Sequence, residues 1–335
     1  MSKGIRYKDA GVDIQAGEEA VRRIKKAVRS TFTSNVLTDL GKFGGFYQLN
    51  VSRYNEPVLV SSIDGVGTKL KVAFLTGKHD TIGEDLVNHC VNDILVGGAR
   101  PLFFLDYIGT GALDPAVVEQ IIQGMVRGCR QAGCALVGGE MAEMPGFYQS
   151  GEYDVAGSIC GIVEKTKVIQ GDAIRKGDVL IGLPSTGLHT NGYSLARKVL
   201  FDHAGLSVHD LPDALDESIG DALLRVHRCY LPVVDPLLDT FPIQGMSHVT
   251  GGGIVGNTGR VLPEGLSLHI HWGGWDIPPI FQLIQQLGGV SDDEMRRSFN
   301  LGVGYIFIVR ASDSDALQKH LKDAGEQPIC VGEVV

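Results

Sequence analysis

Paired cysteines are absent from this sequence. Six cysteines occur, at positions 90, 129, 134, 160, 229 and 330, and no two of them form a Cys-x-x-Cys pair. Cys129 and Cys134 are the closest two, and neither has histidines at zinc-ligand spacing. The pattern excludes a zinc ribbon and a disulfide framework, and it predicts reduced, buried thiols in an intracellular protein.

Long apolar runs and basic tracts are also missing. The first residues, MSKGIRYKDAGVD, contain no apolar core of the kind a signal peptide needs, and no later run approaches membrane-spanning length. Thirty Lys and Arg stand against 39 Asp and Glu, which gives a net charge of −9 and argues against nucleic-acid binding. We therefore expect a cytoplasmic protein with neither a membrane nor a nucleic acid as partner. A phosphate ligand of so acidic a chain would need an accompanying cation.

Glycine, in contrast, is abundant, with 45 among 335 residues. The length favours two domains. Helical spacing of apolar residues predicts helices at 18–29, 82–96 and 114–131, whereas strands are predicted at 58–63, 135–140, 153–163 and 179–183. These elements do not alternate strictly, so we predict an α+β fold with two domains, each a mixed sheet packed with helices. The polar stretch 164–178 predicts a boundary between domains 1–165 and 166–335.

The stretch VSSIDGVGTK, residues 60–69, ends a strand on a carboxylate, two glycines, a hydroxyl and a lysine. It is not a phosphate loop, because the first glycine of that motif is missing and the Thr-Lys order is reversed. Asp64 suits a metal ion, whereas Gly65, Gly67, Thr68 and Lys69 suit phosphate groups. A plain Asp-Gly turn with an exposed lysine is the alternative.

Two other carboxylates have similar neighbours. Asp93 lies in NDILVGGARP, and Glu140 follows Gly138 and Gly139. Magnesium takes few protein carboxylates and is completed by water and nucleotide phosphates. The three carboxylates Asp64, Asp93 and Glu140 together favour a metal ion such as Mg²⁺ beside nucleotide phosphates. Each carboxylate could instead be a turn or cap residue.

Two glycine-flanked loops are further candidates for ligand contact. KFGGF contains Gly44 and Gly45 and could cover phosphate groups, or it could be an ordinary flexible loop. STGLHTNGYS brings Ser185, His189 and Asn191 into one loop, and these donors suit an amide, ribose or phosphate. His189 could act as a general acid or base, although a loop histidine without a role is equally compatible.

The segment GGGIVG, residues 251–256, matches the dinucleotide-binding pattern Gly-x-Gly-x-x-Gly, and Asp276 follows at about the required distance. The context does not fit. The preceding QGMSHVT is a poor strand, and a following helix would meet Gly259 and then Pro263. A nicotinamide enzyme is therefore disfavoured, and we interpret the segment as a tight turn near ligand or the other domain.

Eight motifs taken together resemble one family. They are YKDAGVDIQAG, GKFGGFYQL, SSIDGVGTKLKVA, NDILVGGARPLFFLDY, GGEMAEMPGFY, STGLHTNGYSLAR, HVTGGGIVGN and SFNLGVGY. Their order resembles the aminoimidazole ribonucleotide synthetases, also called phosphoribosylformylglycinamidine cyclo-ligases, across nearly the whole chain. The wider superfamily shares the element Asp-x4-Gly-Ala-x-Pro, here Asp93 to Pro101. Met141 departs from the threonine that the family usually has.

The resemblance implies a reaction, partners and roles. Family members use ATP to convert formylglycinamidine ribonucleotide to aminoimidazole ribonucleotide through an iminophosphate, in purine biosynthesis. They form homodimers whose first-domain strands meet across the interface. The resemblance also implies catalytic roles for Lys69, Asp93 and His189. It implies that Ser185, His189 and Asn191 bind the substrate. The alternatives are a thiamine monophosphate kinase, a selenophosphate synthetase, or a homologue that binds nucleotide without catalysis.

Overall fold

The computed structural model describes residues 4–335, and a four-stranded sheet organises their first half. The strand order is β1-β4-β2-β3, in which β2 and β3 are parallel and the other neighbours are antiparallel. The strands are β1 Pro57–Gly65, β2 Arg100–Thr110, β3 Ala135–Glu143 and β4 Tyr153–Glu164. The helices are α1 Ile14–Arg29, α2 Leu70–Thr76, α3 Asp80–Leu95 and α4 Pro115–Ala132.

Local signals explain where these helices begin. The Asp13 carboxylate accepts a hydrogen bond from the Gln15 N–H, so α1 begins four residues before the predicted Glu18. Asp114 caps α4 in the same way, with Pro115 at the first helical position, as predicted.

Helices α3 and α4 cross very closely at Gly83. A Cβ atom there would lie only 1.9 Å from the Ile121 carbonyl oxygen. Larger residues would separate the two helices.

A five-stranded sheet organises the second half, in the order β6-β8-β5-β9-β7, and its described strand pairs are all antiparallel. The strands are β5 Val179–Pro184, β6 Gly245–His248, β7 Leu268–Ile270, β8 Val303–Val309 and β9 Ile329–Val334. The helices are α5 Tyr193–Arg197, α6 Ile219–Leu224, α7 Leu231–Val234, α8 Gly253–Thr258, α9 Pro279–Gly288, α10 Asp292–Ser298 and α11 Ala311–Asp323. The two-domain α+β prediction is confirmed. The prediction of a poor strand before the glycine segment was wrong, because β6 forms there.

The two halves are joined by polar contacts as well as by a shared apolar core. Asp85, Asn88 and Asn92 share one side of α3, and all three bind the backbone of residues 225–230 from the second half. Because these side chains are buried, their hydrogen bonds fix this segment against α3. The segment in turn carries His227, which lies beside the candidate site.

The face of the first sheet that points away from α3 is uncovered at several apolar side chains. Leu59, Ile63 and Leu105 are 57%, 72% and 39% exposed there. Among the cysteines, Cys160 is half-buried and Cys330 is exposed, so the prediction of buried thiols holds for the other four only. In residues 4–335, no helix combines the length and the apolar character needed to cross a membrane.

Candidate functional site

Two of the predicted metal ligands, Asp64 and Asp93, come together at the end of β1. One Asp64 oxygen accepts the Gly65 N–H at 2.7 Å, and the other lies 2.8 Å from His89 Nε2. Asp93, on α3, accepts from Ser62 Oγ at 3.2 Å and lies 2.8 Å from His248 Nδ1. His89 Nε2 is also 3.8 Å from Asp93. Both carboxylates are half-buried, so part of each still faces solvent.

Neighbouring histidines stabilise the negative charge of both carboxylates. Burial alone would raise the pKa of Asp64, but the His89 hydrogen bond and charge lower it overall. Burial likewise opposes ionisation of Asp93, and the contact with His248 outweighs it and lowers the pKa. Burial disfavours the His89 cation, yet Asp64 and Asp93 together raise the pKa of His89. His89 therefore lies beside both carboxylates, which favour its protonated form.

Glu140, the third predicted ligand, is not brought to this pair. Asp64 and Asp106 both lie opposite Gly157, and Asp106 lies opposite Gly139, so these positions form one row across the sheet. Glu140 follows by one residue, so its side chain points to the other face. It is exposed, in contrast to the half-buried Asp64 and Asp93. The predicted three-carboxylate set is therefore divided between two faces.

Asp106 is a carboxylate that the sequence analysis overlooked. Burial raises its pKa to about 7, and no cation offsets this. It lines a cavity of about 640 Å³ with Gly138, Gly139 and Glu140. A single acidic residue within the apolar strand PLFFLDYIG was the signal that could have identified it.

This 640 Å³ cavity contains many of the predicted nucleotide-binding glycines. Gly44 and Gly45 form one wall, and Gly138 and Gly139 form another. A Cβ atom at Gly45 would lie 2.8 Å from the Val137 carbonyl oxygen, so only glycine allows the loop to approach β3 this closely. Met141, at the position of the family's usual threonine, also lines the cavity. The volume of the cavity is in the range of small-molecule sites.

Three of the remaining predicted residues, Gly67, Thr68 and Asn191, lie at a cleft between the two halves. Gly67 and Thr68 line this cleft of about 490 Å³ from one side, and Thr190 and Asn191 line it from the other. Thr68 Oγ1 lies 3.0 Å from Ser194 Oγ across the cleft. Predicted phosphate and substrate residues thus meet here. Gly65 lies in β1, adjacent to Asp64.

Lys69 is not positioned to bind phosphate. Its side chain is 0% exposed, and its ammonium group donates to Asp85 at 2.9 Å and to the Arg225 carbonyl at 2.8 Å. Burial lowers the pKa of Lys69 and raises that of Asp85 to about 6. The predicted phosphate-binding role finds no support in this geometry, because the ammonium group is committed to a buried ion pair with Asp85 and to the Arg225 carbonyl of the second half.

The predicted residues of the substrate loop face different surroundings. Ser185 Oγ donates to Asn300 at 2.9 Å and lies apart from the cleft that Asn191 lines. The His189 ring is buried, and burial holds its pKa well below the usual range. Its Nε2 accepts the Thr186 N–H at 3.2 Å, whereas its Nδ1 is buried without a partner. The acid–base role of His189 stays a prediction.

His89, His227 and His248 were missed by sequence reasoning, and with His189 they form a buried cluster. His227 stacks on His189 with ring centroids 4.1 Å apart, and it lies 5.2 Å from His89 and 5.0 Å from His248. Three of the four come from the second half of the chain. Of the three missed histidines, only His248, three residues before Gly251, had a local signal.

The fold is shared with several solved structures. It resembles thiamine-monophosphate kinase from Stenotrophomonas maltophilia, with a TM-score of 0.69, 17% identity and 93% of each chain covered. It also resembles a hydrogenase maturation protein, HypE, solved in complex with ATP, with a TM-score of 0.65, 18% identity, and 97% of this chain and 88% of that chain covered. At such identities the likeness shows the fold alone.

Sequence comparison gives the family. The N-terminal domain of AIR synthase related protein matches residues 49–163, and the C-terminal domain of that family matches residues 175–335. A phosphoribosylformylglycinamidine cyclo-ligase of Trichlorobacter lovleyi is 53% identical over 98% of this chain and 94% of its own. That of Alkaliphilus metalliredigens is 50% identical over 98% and 95%. The chain belongs to the phosphoribosylformylglycinamidine cyclo-ligase family.

Proposed function

We propose that this protein uses ATP to close the imidazole ring of aminoimidazole ribonucleotide from formylglycinamidine ribonucleotide, in the cytoplasm. The observation that carries the proposal is 53% identity to a cyclo-ligase over nearly the full length of both chains. The paired carboxylates at the end of β1 and the nucleotide-sized cavity agree with it.

The chemical problem is a formamide oxygen that is a poor leaving group. Transfer of the terminal phosphoryl group of ATP to that oxygen gives an iminophosphate and ADP. The amidine nitrogen then attacks the activated carbon, the C–O bond breaks, and phosphate departs as the five-membered ring closes. The protein contributes mainly positioning and charge stabilisation to such a reaction.

Asp64 and Asp93 fit a magnesium ion. Both have lowered pKa values, both are half-buried, and each keeps oxygen lone pairs beyond its hydrogen bonds. A bound Mg²⁺ would neutralise phosphate charge during transfer. We assign the ion to Asp64 and Asp93, and we assign the ATP to the surface that includes Gly44, Gly45, Gly138 and Gly139. Glu140 stays a candidate for a second ion only.

The cleft between the halves suits the ribonucleotide substrate. Gly67, Thr68 and Asn191 present backbone, hydroxyl and amide groups at its surface, and Arg297 adds a positive charge. Such groups bind phosphate and ribose. Thr190, which lines the cleft, lies 2.7 Å from His89 Nδ1, and His89 Nε2 lies 2.8 Å from Asp64. We also propose that the two domains meet near residue 165.

Replacing Asp93 by Asn tests the metal assignment. We expect Asp93→Asn to lose most ATP-dependent phosphate release while the protein stays folded, because the amide removes the negative charge. Asp315→Asn, on the exposed surface of α11, is the matched control and should retain full activity. Turnover at the wild-type rate in Asp93→Asn would refute the assignment.

The uncovered face of the first sheet supports a homodimer. Leu59 and Ile63 alternate along β1 and are more than half exposed, which is costly for an isolated protomer. We expect Ile63→Asp to shift sedimentation toward the monomer. Leu211→Asp, at an exposed leucine of the second half, should leave the assembly unchanged. A wild-type protein that sediments as a monomer would contradict the dimer.

A further inference from the structure

Two histidines and one glutamate converge on the surface of the second sheet. His269 belongs to β7, and His271 is the first residue after this strand ends at Ile270. Glu333 belongs to β9 and lies directly opposite His269 in the antiparallel pairing. One ring nitrogen of each histidine and one carboxylate oxygen of Glu333 all lie within 4.8 Å of one another. These three residues are separate from those assigned to ATP, Mg²⁺ and the ribonucleotide.

The sheet itself brings the three side chains together. Side chains two residues apart share one face of a strand, so His269 and His271 point outward while Ile270 between them is 7% exposed. The His271 N–H donates to the Val331 carbonyl at 2.9 Å, so the pairing with β9 continues past the last residue of β7. The backbone on both sides is therefore fixed before any ion arrives, which limits the entropy lost on binding.

The distances suit ligands of one tetrahedral ion. His269 Nδ1 lies 3.3 Å from Glu333 Oε1. Two ligands bonded to Zn²⁺ at about 2.0–2.1 Å in tetrahedral geometry are themselves about 3.3 Å apart. The His271 ring lies 5.3 Å from the His269 ring between centroids, and His271 is exposed, so its ring can rotate to supply the third ligand. An ion pair between His269 and Glu333 alone would involve only one of the two histidines.

The donor set indicates the kind of ion. Imidazole nitrogens suit Zn²⁺ and its transition-metal neighbours, whereas Mg²⁺ and Ca²⁺ prefer oxygen ligands. Three protein ligands leave a fourth position for water. We propose that His269, His271 and Glu333 bind one Zn²⁺ ion, which holds the strand β7 against β9. β7 is only three residues long and lies at the edge of its sheet, so an ion shared with β9 would add to the few hydrogen bonds that hold it.

The first test is equilibrium dialysis of the whole protein against Zn²⁺, with excess Mg²⁺ and without nucleotide. We expect His269→Ala, His271→Ala and Glu333→Gln each to weaken the binding of one zinc equivalent by about 100-fold, the share of one ligand in the affinity of structural zinc sites. His209→Ala, at another exposed histidine of the second half, is the matched control and should keep this equivalent. Asp93→Asn should keep it as well, because Asp93 belongs to a different site.

The second test is urea denaturation with and without Zn²⁺. At a free Zn²⁺ concentration 100 times the dissociation constant, binding to the folded state alone raises the ratio of folded to unfolded protein about 100-fold. The wild type and His209→Ala should therefore gain about 100-fold more from Zn²⁺ than His269→Ala does. Without Zn²⁺ the three proteins should unfold alike and turn over alike, because the substituted side chains are exposed.

Equal zinc binding by the wild type and His269→Ala would overturn the inference. Loss of the same zinc equivalent in His209→Ala would also overturn it, because binding would then be spread over surface histidines. Displacement of this zinc by the excess Mg²⁺ would contradict the assigned donor set. Specific binding with no difference in urea denaturation would overturn the proposed effect on β7. All these outcomes are independent of turnover, so failure of the proposed function would leave them unchanged.

Discussion

Lys69 forms part of the sequence VSSIDGVGTK, yet its charge contributes to the joint between the two halves. The ammonium group is enclosed by Asp85 and the Arg225 carbonyl, and nothing of it reaches either cavity. Removal of one partner of a buried pair costs about 3–5 kcal/mol. We therefore expect Lys69→Met to lower the free energy of unfolding by about 3 kcal/mol, measured by urea denaturation.

The double variant Lys69→Met/Asp85→Leu distinguishes a structural role of Lys69 from a role in phosphate binding. It removes both charges, and apolar replacement of a buried pair is often neutral for stability. Asp85→Leu also removes the acceptor of the His227 N–H, so the double variant should recover only part of the stability lost in Lys69→Met. If Lys69 serves only the joint, the double variant should keep a nearly wild-type KM for ATP. A KM that stays raised in the stable double variant would restore the phosphate-binding role to Lys69.

Asp106 predicts an unusual dependence of stability on pH. Its pKa is about 7 in the folded protein and about 3.9 when unfolded. Between these values the native state keeps a proton that the unfolded state has lost, so this group makes stability fall as pH rises from about 4 to 7. In Asp106→Asn that decline should disappear. Parallel stability profiles for wild type and variant over this range would contradict the assignment.

At the scale of elements, α3 joins the two halves through its polar side. Asn92 donates to the Arg228 carbonyl at 2.8 Å and accepts the Tyr230 N–H at 2.9 Å, as a neighbouring strand would. Its loss would leave two buried backbone groups unpaired, each costing about 1–3 kcal/mol. We expect Asn92→Ala to lower the free energy of unfolding by about 3 kcal/mol in urea denaturation.

Asn55→Ala is the control for this change, because Asn55 is exposed in the loop before β1. It should alter the free energy of unfolding by less than about 0.5 kcal/mol. Equal effects of the two substitutions would show that the polar side of α3 does not stabilise the joint.

The sequence predicted α3 well, and it indicated that Asp85, Asn88 and Asn92 share one side. Helical spacing is a local property, so it can be read without knowing the fold. The partner of that side could not be predicted, because residues 225–230 lie more than 130 positions further along the chain. Lys69 was predicted to bind phosphate, with an exposed lysine as the alternative, because the local sequence shows neither Asp85 nor the Arg225 carbonyl as its partner. His227 stands in a segment with no motif at all.

At the scale of the whole molecule, the two-domain α+β fold was predictable from the mixture of strands and helices. The sequence analysis grouped Glu140 with Asp64 and Asp93, whereas the structure brings only Asp64 and Asp93 together. The reason is register, since a shift of one residue along β3 turns a side chain to the other face. The division of ligand groups between a cavity in the first half and a cleft between the halves also depends on chain packing.

Turnover with two candidate substrates tests the proposed reaction. Purified protein with ATP and Mg²⁺ is given formylglycinamidine ribonucleotide or thiamine monophosphate, and ADP release is followed for each. Ring closure predicts ADP release with formylglycinamidine ribonucleotide, one aminoimidazole ribonucleotide formed per ADP, and no release above background with thiamine monophosphate. ADP release only with thiamine monophosphate, or with neither compound, would contradict the proposed ring closure.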